Sequence, residues 1–107
     1  MTADPGNRHL GIAGAGVIFD NGAGIARAVY VQDEHVTIEW IEVKNGSGVN
    51  AHGIEIANTL PQNQLILRNN LIHDITGRSI LVSASDAELD IINNFVYRGT
   101  REAVYLS

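Results

Sequence analysis

The stretch RNNLIHDITGRSILVS, residues 68–83, is followed by INNFVYRGTREAVYLS, residues 92–107, which repeats its pattern. Both stretches open on an Asn-Asn pair and close on an apolar segment that ends in serine, at a constant offset of 24 residues. Similar apolar segments begin near residues 29 and 54, so four equivalent segments follow one another at 25, 26 and 24 residues. Self-similarity with a period of about 20–50 residues indicates a repeat architecture.

The apolar residues within each unit alternate with residues of the opposite face, which is the period of a β-strand and not of a helix. Ile80 and Val82 are predicted to point inward, and Leu81 outward. A unit of about 25 residues cannot bury a core of its own, so it has to stack on its neighbours. The sequence therefore predicts an all-β fold: a short parallel solenoid of about four coils with three short strands per coil.

The order of a strand, Asn-Asn, an apolar residue and another strand, in coils of this length, resembles the right-handed parallel β-helix of pectate-lyase-like proteins. The resemblance covers roughly residues 10–107. It implies a right-handed parallel β-helix, a fold that carries lyases, hydrolases, epimerases, viral spikes and inert spacers. The resemblance therefore implies a fold and no single activity.

The asparagine pairs have a structural interpretation that follows from this resemblance. In such helices one inward asparagine per coil stacks on the next at a corner, where its amide satisfies backbone groups that the corner leaves unpaired. Alternation along the strands makes Asn70 and Asn94 the inward pair, a ladder of two rungs, with Asn69 and Asn93 at the bend. A polar ligand site is the alternative interpretation, and the ladder is the stronger one.

Composition limits the classes of partner. With 107 residues the chain is one domain, residues 9–107, preceded by a leader at residues 1–8 that we expect to be disordered; alternatively it is a fragment of a longer solenoid. A net charge of -5 argues against nucleic acid and anionic membranes as partners. We find no signal peptide and no transmembrane segment in the sequence, and the compartment is left unassigned. The absence of cysteine excludes disulfides and thiolate metal sites.

One predicted outer face carries two tyrosines. Alternation places Tyr30, Glu55, Leu81 and Tyr105 at equivalent positions of successive coils. Tyrosine rings along a sheet face pack against sugar rings and hydrogen-bond to hydroxyl groups, so these four residues are candidates for polysaccharide binding. The alternative is that the aromatic rings simply suit a pleated surface and pack on loops or on a neighbouring chain.

A second outward stripe carries apolar side chains. Leu71 and Phe95 are expected to be exposed next to each other, beside His73 and Tyr97, and they are candidates for an interface between chains. Coverage of this stripe by a loop or by a terminus is an equally weighted alternative.

The evidence for catalysis and for cofactors is weak. His52, Glu55 and Asp74 are the best general acid or base candidates, because they lie near loops or on an outer face. Glycoside hydrolysis needs two carboxylates about 5–9.5 Å apart, whereas the residue after Glu55 in register is a leucine. The adjacent acids and histidine at residues 33–35 are typical of a solvated turn and not of a metal site. We therefore assign no catalytic residue, no metal and no other cofactor.

Two functions remain in competition. The first is a non-catalytic module that binds polysaccharide along the outer face of Tyr30 and Tyr105. The second is a structural module that joins other copies through its coil ends and the apolar stripe; a fragment of a carbohydrate-active enzyme is a distant third. Because the sequence stops on a strand, we expect the chain to be a homo-oligomer or part of a longer β-helix.

Overall fold

The computed structural model describes residues 1–24, 26–33, 35–58, 64–84 and 88–107. Within these ranges the chain forms a parallel β-solenoid of about three turns, with no α-helix and a short 3₁₀ turn at Pro5–Asn7. The strands are β1 (Val17–Gly24), β2 (Val29–Val31), β3 (Val36–Glu39), β4 (Ile41–Gly46), β5 (Ile54–Asn58), β6 (Gln64–Arg68), β7 (Leu71–Ile75), β8 (Ile80–Ala84), β9 (Glu88–Ile92), β10 (Phe95–Tyr97) and β11 (Val104–Leu106).

The strands form three parallel sheets, one from each equivalent strand of the repeat. Their orders are β1-β4-β7-β10, β2-β5-β8-β11 and β3-β6-β9. In the second sheet Val29 pairs with Ile54, Ile54 with Ile80, and Ile80 with Val104. The register predicted from the 25-, 26- and 24-residue spacing is therefore confirmed.

The number of coils differs from the prediction of about four. Three strands per turn hold for β2–β4, β5–β7 and β8–β10, which make the three turns. β1 precedes the first turn as a single strand of the first sheet, and β11 follows the third turn as a single strand of the second sheet. These two part-coils do not add up to a fourth turn.

The core runs along the solenoid axis and is filled by alternate residues of each strand. Ile54, Ile56 and Ile80 are completely buried, as are Leu65 and Leu67 on β6. These side chains belong to one continuous cluster, which agrees with the period-2 pattern of the sequence. Each Å² of apolar surface removed from water stabilises the fold by about 25 cal/mol, so this cluster makes the main stabilising contribution.

Two corners of the solenoid use left-handed backbone. Trp40, Asn69 and Asn93 have φ values of 60°, 56° and 52° at the corner before β4, β7 and β10. Asn45 and Asp74 repeat this conformation later in the same coils, with φ values of 63° and 56°. Asparagine and aspartate tolerate this region better than most residues, which explains their recurrence at the turns.

Residues 1–8, expected to form a disordered leader, lie against the first turn in the structure. Thr2 pairs with Glu39 of β3, the terminal amine of Met1 donates to the carbonyl of Thr37, and Ala3 is buried. Residues 9–16 continue from this segment across the β4-β7 surface; we call residues 1–16 the N-terminal arm. Among the described residues, no helix combines the length and the apolar character needed to cross a bilayer.

Candidate functional site on the tyrosine face

The four residues predicted to share an outer face lie in one row across the second sheet. Tyr30 pairs with Glu55, Glu55 with Leu81, and Leu81 with Tyr105. We call this row the tyrosine face. Tyr30 and Tyr105 are 45% and 37% exposed, whereas Glu55 and Leu81 between them are buried. Three strand spacings of about 4.8 Å place the two tyrosines roughly 14 Å apart along the axis.

A column of polar side chains lies beside the tyrosine face, two residues before each strand of that sheet. It contains Arg27, His52, Arg78 and Glu102. Backbone hydrogen bonds from Ala28 to His52, from Gly53 to Arg78 and from Ser79 to Glu102 hold successive members of the column on adjacent coils. Sequence reasoning did not identify this column as a site, although its regular position before the strands was a readable signal.

The arginines of this column stack on the tyrosines. The Arg27 guanidinium carbon lies 4.5 Å from the centre of the Tyr30 ring, and that of Arg78 lies 3.9 Å from the centre of Tyr105. Arg27 also donates from Nη2 to Glu55 Oε1 at 3.3 Å and from Nε to Oε2. The buried carboxylate of Glu55 therefore has a charged partner. Each ring therefore has one surface occupied by a cation and the remainder open.

Arg78 is less fully satisfied than Arg27. Its Nε is buried and lies 3.2 Å from Glu102 Oε2, close enough for an ion pair, but the geometry does not make a hydrogen bond. Because an arginine has five N–H donors in a rigid fork, the group retains donor capacity at the Tyr105 end of the face.

A cavity of about 430 Å³ opens at the Tyr30 end, lined by Ala26, Arg27, Asn50, His52 and Glu55. Two of the three acid or base candidates, His52 and Glu55, therefore lie together. Asn50 and His52 come from the loop between β4 and β5, one of the two long loops of the sequence. A volume in this range, with a few convergent polar groups, suits a small polar ligand or one unit of a polymer.

His52 is held in a defined tautomer. Its Nδ1 accepts a hydrogen bond from the backbone amide of Arg78 at 2.9 Å, so the proton of the neutral ring lies on Nε2. Burial lowers the pKa of His52 below its usual value; the cations Arg78, Arg27 and Arg101 lower it further, while Glu55 opposes them. At neutral pH the ring therefore presents a donor, Nε2–H, and no positive charge.

The described lining of this cavity does not supply the pair of carboxylates that glycoside hydrolysis uses. Glu55 is the only carboxylate among the described residues that line it, and it is paired with Arg27. Asp74, the third acid or base candidate, lies on the other side of the solenoid in a bidentate contact with Arg98. Hydrogen bonds from Arg98 and then from His73 hold the pKa of Asp74 well below its usual range.

The apolar stripe is largely covered, contrary to the expectation of adjacent exposed groups. Leu71 and His73 are buried, and only Phe95, at 63%, is strongly exposed. The N-terminal arm reaches this sheet face, where the Gly14 amide donates to Glu42 Oε2 at 2.6 Å. The stripe is therefore buried at Leu71 and His73 and exposed at Phe95.

Beneath the arm lies a buried ionic network. His73 Nε2 is 2.7 Å from Glu42 Oε1, and His73 Nδ1 is 2.6 Å from Asp74 Oδ2. The Tyr97 ring stacks on the imidazole at 4.8 Å between centroids. The two ring nitrogens of His73 therefore each contact a carboxylate, the buried Glu42 and the half-buried Asp74, and Arg98 pairs with Asp74 from outside.

The inward asparagines are hydrogen-bonded to each other. Asn70 Nδ2 donates to Asn94 Oδ1 at 3.0 Å and to the carbonyl of Ile38 at 2.9 Å. Asn70 Oδ1 accepts from the amide of Ile41 at 3.3 Å, and Asn94 Nδ2 donates to the carbonyl of Leu67 at 2.7 Å. Each amide thus hydrogen-bonds to backbone groups next to the corner.

The turn at residues 33–35 remains outside the site. Asp33 and His35 are exposed, and Glu34 lies outside the described residues. In the parts of the chain that the structure covers, no group of three or more His, Asp or Glu side chains is arranged to hold a metal ion. Residues 59–63, between β5 and β6, lie outside the described residues as well.

No protein-family model, no curated protein and no solved structure matches this chain. The assignment of a function therefore depends on the geometry of the tyrosine face and of its polar column.

Proposed function

We propose that this chain is a non-catalytic β-solenoid module that binds polysaccharide along the tyrosine face. The observation that carries the proposal is the in-register row of Tyr30, Glu55, Leu81 and Tyr105 beside a stacked column of polar side chains. A linear polymer laid along the solenoid axis contacts both tyrosines and reaches the cavity that Arg27 and Glu55 line. Aromatic rings supply apolar contact with sugar faces, and the column supplies hydrogen-bond donors.

The charges near this face favour a polysaccharide that carries carboxylates. Arg27, Arg78 and Arg101 lie around His52, against the two carboxylates of Glu55 and Glu102. One positive charge is left over on a chain whose net charge is -5. Arginine binds carboxylates in a planar bidentate geometry, so an acidic sugar is the ligand we expect this face to prefer.

The test is binding to immobilised acidic and neutral polysaccharides in an affinity gel, supported by a glycan array. We expect Tyr30→Ala with Tyr105→Ala to weaken binding at least about tenfold, the ratio that 1.4 kcal/mol of lost contact gives. Val17→Ala is the control, because it truncates an exposed apolar side chain on a different sheet, outside the tyrosine face. Retention of full affinity in the double variant would disprove the role of this face.

We also infer that the solenoid is of the right-handed, pectate-lyase-like kind, with Asn70 and Asn94 as a two-rung ladder. The hydrogen bond between these two amides supports the ladder, and the strong preference of parallel crossovers for one hand supports the handedness. An acidic-polysaccharide ligand is consistent with this inference but does not depend on it.

Self-assembly is the second candidate function, and the third turn favours it. Val104 and Leu106, which point inward like Ile80 and Val82, are 41% and 59% exposed. The core is therefore open at this end of the solenoid, next to strand edges that have no pairing partner among the described residues. Another copy of the chain, stacked on this end, would bury both features.

A further inference from the structure

A second cleft lies at the Asn-Asn corner, away from the tyrosine face. It has a volume of about 480 Å³, and the residues that define it include His9, Leu10, Trp40, Asn69, Asn93 and Phe95. One wall comes from the N-terminal arm, the floor from the stacked corners of three coils, and the far rim from β10. This combination was not visible in the sequence, because its parts are up to 86 residues apart along the chain.

The arm wall is fixed by a histidine. His9 Nδ1 accepts from the Gly11 amide at 2.9 Å, so Nε2 carries the proton and donates to the carbonyl of Asn69 at 2.8 Å. Both ring nitrogens are therefore occupied, and the ring is in its neutral form. His9 positions the arm and leaves the recognition of a ligand to other groups.

The floor presents unused amide groups. Asn93 Nδ2 donates to Asn69 Oδ1 at 2.7 Å, which orients both side chains. The Nδ2 donors of Asn69 and the Oδ1 acceptor of Asn93 have no hydrogen-bond partner among the described residues. A donor and an acceptor held side by side, about one strand spacing of 4.8 Å apart, suit two neighbouring hydroxyl groups.

Two aromatic rings lie on either side of these amides. Trp40 occupies the corner of the first coil, and Phe95 follows the corner of the third. Arg8 stacks on Trp40 at 4.8 Å from the ring centroid but is not part of the cleft, so a ligand meets a surface of the indole that Arg8 leaves open. Phe95 is one of the most exposed apolar side chains of the chain.

We propose that this cleft is a binding site for a neutral saccharide, separate from the tyrosine face and independent of its proposed function. Aromatic rings flanking a paired amide donor and acceptor match the apolar faces and the hydroxyl rim of a sugar ring. No Asp, Glu, Lys or Arg side chain is among the described residues that line the cleft. A charged ligand would therefore find no counter-charge among these lining residues, in contrast to the arginine column on the tyrosine face.

Trp40 makes the proposal directly testable, because it is the only tryptophan of the chain. We would titrate the protein with neutral hexasaccharides of glucose, mannose or xylose and record the Trp40 emission. The expected result is a saturable change with at least one of them, and none with hexagalacturonate. The loss of one aromatic contact in Phe95→Ala should weaken the response about five- to tenfold.

A second variant distinguishes loss of ligand binding from loss of folding. Asn69→Asp keeps the acceptor for Asn93 and tolerates the left-handed backbone, yet it removes the free donors; we expect it to abolish the response. Gln32→Glu, which adds the same charge at an exposed position outside both sites, should leave the response intact. Tyr30→Ala should also leave it intact, because the cleft is separate from the tyrosine face. Three results would each overturn the proposal: no saturable change with any neutral sugar, a change that survives both cleft variants, or an equal response to the apolar probe cyclohexanol.

Discussion

A single buried amide organises the corner between the third and the first sheets. Asn70 is almost completely buried, and it joins the carbonyl of Ile38, the amide of Ile41 and the side chain of Asn94 across three coils. Ile38 and Ile41 lie on either side of the turn at Trp40, in β3 and β4. Since burial without a partner costs about 1–3 kcal/mol per group, one side chain stabilises the corner out of proportion to its size.

Asn70→Ala should therefore lower the free energy of unfolding by about 2–4 kcal/mol, because it removes the buried hydrogen bonds to the Ile38 carbonyl, to the Ile41 amide and to Asn94. Urea unfolding followed by circular dichroism measures this change. Gln32→Ala, at an exposed position between β2 and β3, is the control and should alter stability by less than about 0.5 kcal/mol. Equal stability of the two variants would show that water replaces the amide at the corner.

At the scale of elements, the N-terminal arm is the part that sequence reasoning could not place. Residues 1–16 have no period-2 pattern, and their position depends on contacts with residues far along the chain, such as Glu42 and Asn69. The strands, by contrast, were predicted from local alternation and from the repeat, which encode both their faces and their register. The arm lies on the sheet face of Glu42, the residue that pairs with Leu71 on the next coil.

Docking of the arm depends on the left-handed backbone at Gly14, where φ is 81°. A side chain there is not blocked by neighbours, but the conformation costs an L-residue about 1–2 kcal/mol. Gly14→Ala should therefore speed amide hydrogen exchange of residues 9–16 by about 5- to 30-fold through more frequent opening of the arm.

Gly6→Ala is the matched control for this experiment, because Gly6 also has open space around it and does not need a positive φ. Its exchange rates should equal those of the unchanged chain. Equal protection of the arm in both variants would mean that the Gly14–Glu42 hydrogen bond does not hold the arm in place.

At the scale of the whole molecule, the two ends of the solenoid are unlike each other. The arm pairs with β3 at one end, whereas at the other end the inward residues of β11 reach the surface. The repeat alone predicted that stacking leaves open ends, but not which end is covered. The difference between the two ends, like the polar column and the cleft at the Asn-Asn corner, arises from residues that come into contact only after the coils have stacked.

The open end predicts self-association that a single charge can disrupt. Leu106→Lys should shift a concentration-dependent dimer to monomer in light scattering, because a buried ammonium group opposes stacking of two open ends. Val49→Lys, at an exposed position of the loop after β4, should leave the dimer unchanged. A monomer at every concentration of the unchanged chain would contradict self-assembly through this end.

The last two turns have a property that concerns how such a molecule can be lengthened. Leu65 pairs with Leu89, Leu71 with Phe95 and Ile80 with Val104, so all three sheets advance by the same 24 residues. A tandem duplication of a segment of that length would therefore keep the strand register in all three sheets. Each added coil would therefore lengthen the solenoid by a fixed increment of about 4.8 Å. Adding coils would move the N-terminal arm and the open end apart. Each added coil would also extend the corner at Asn69 and the tyrosine face by one equivalent position.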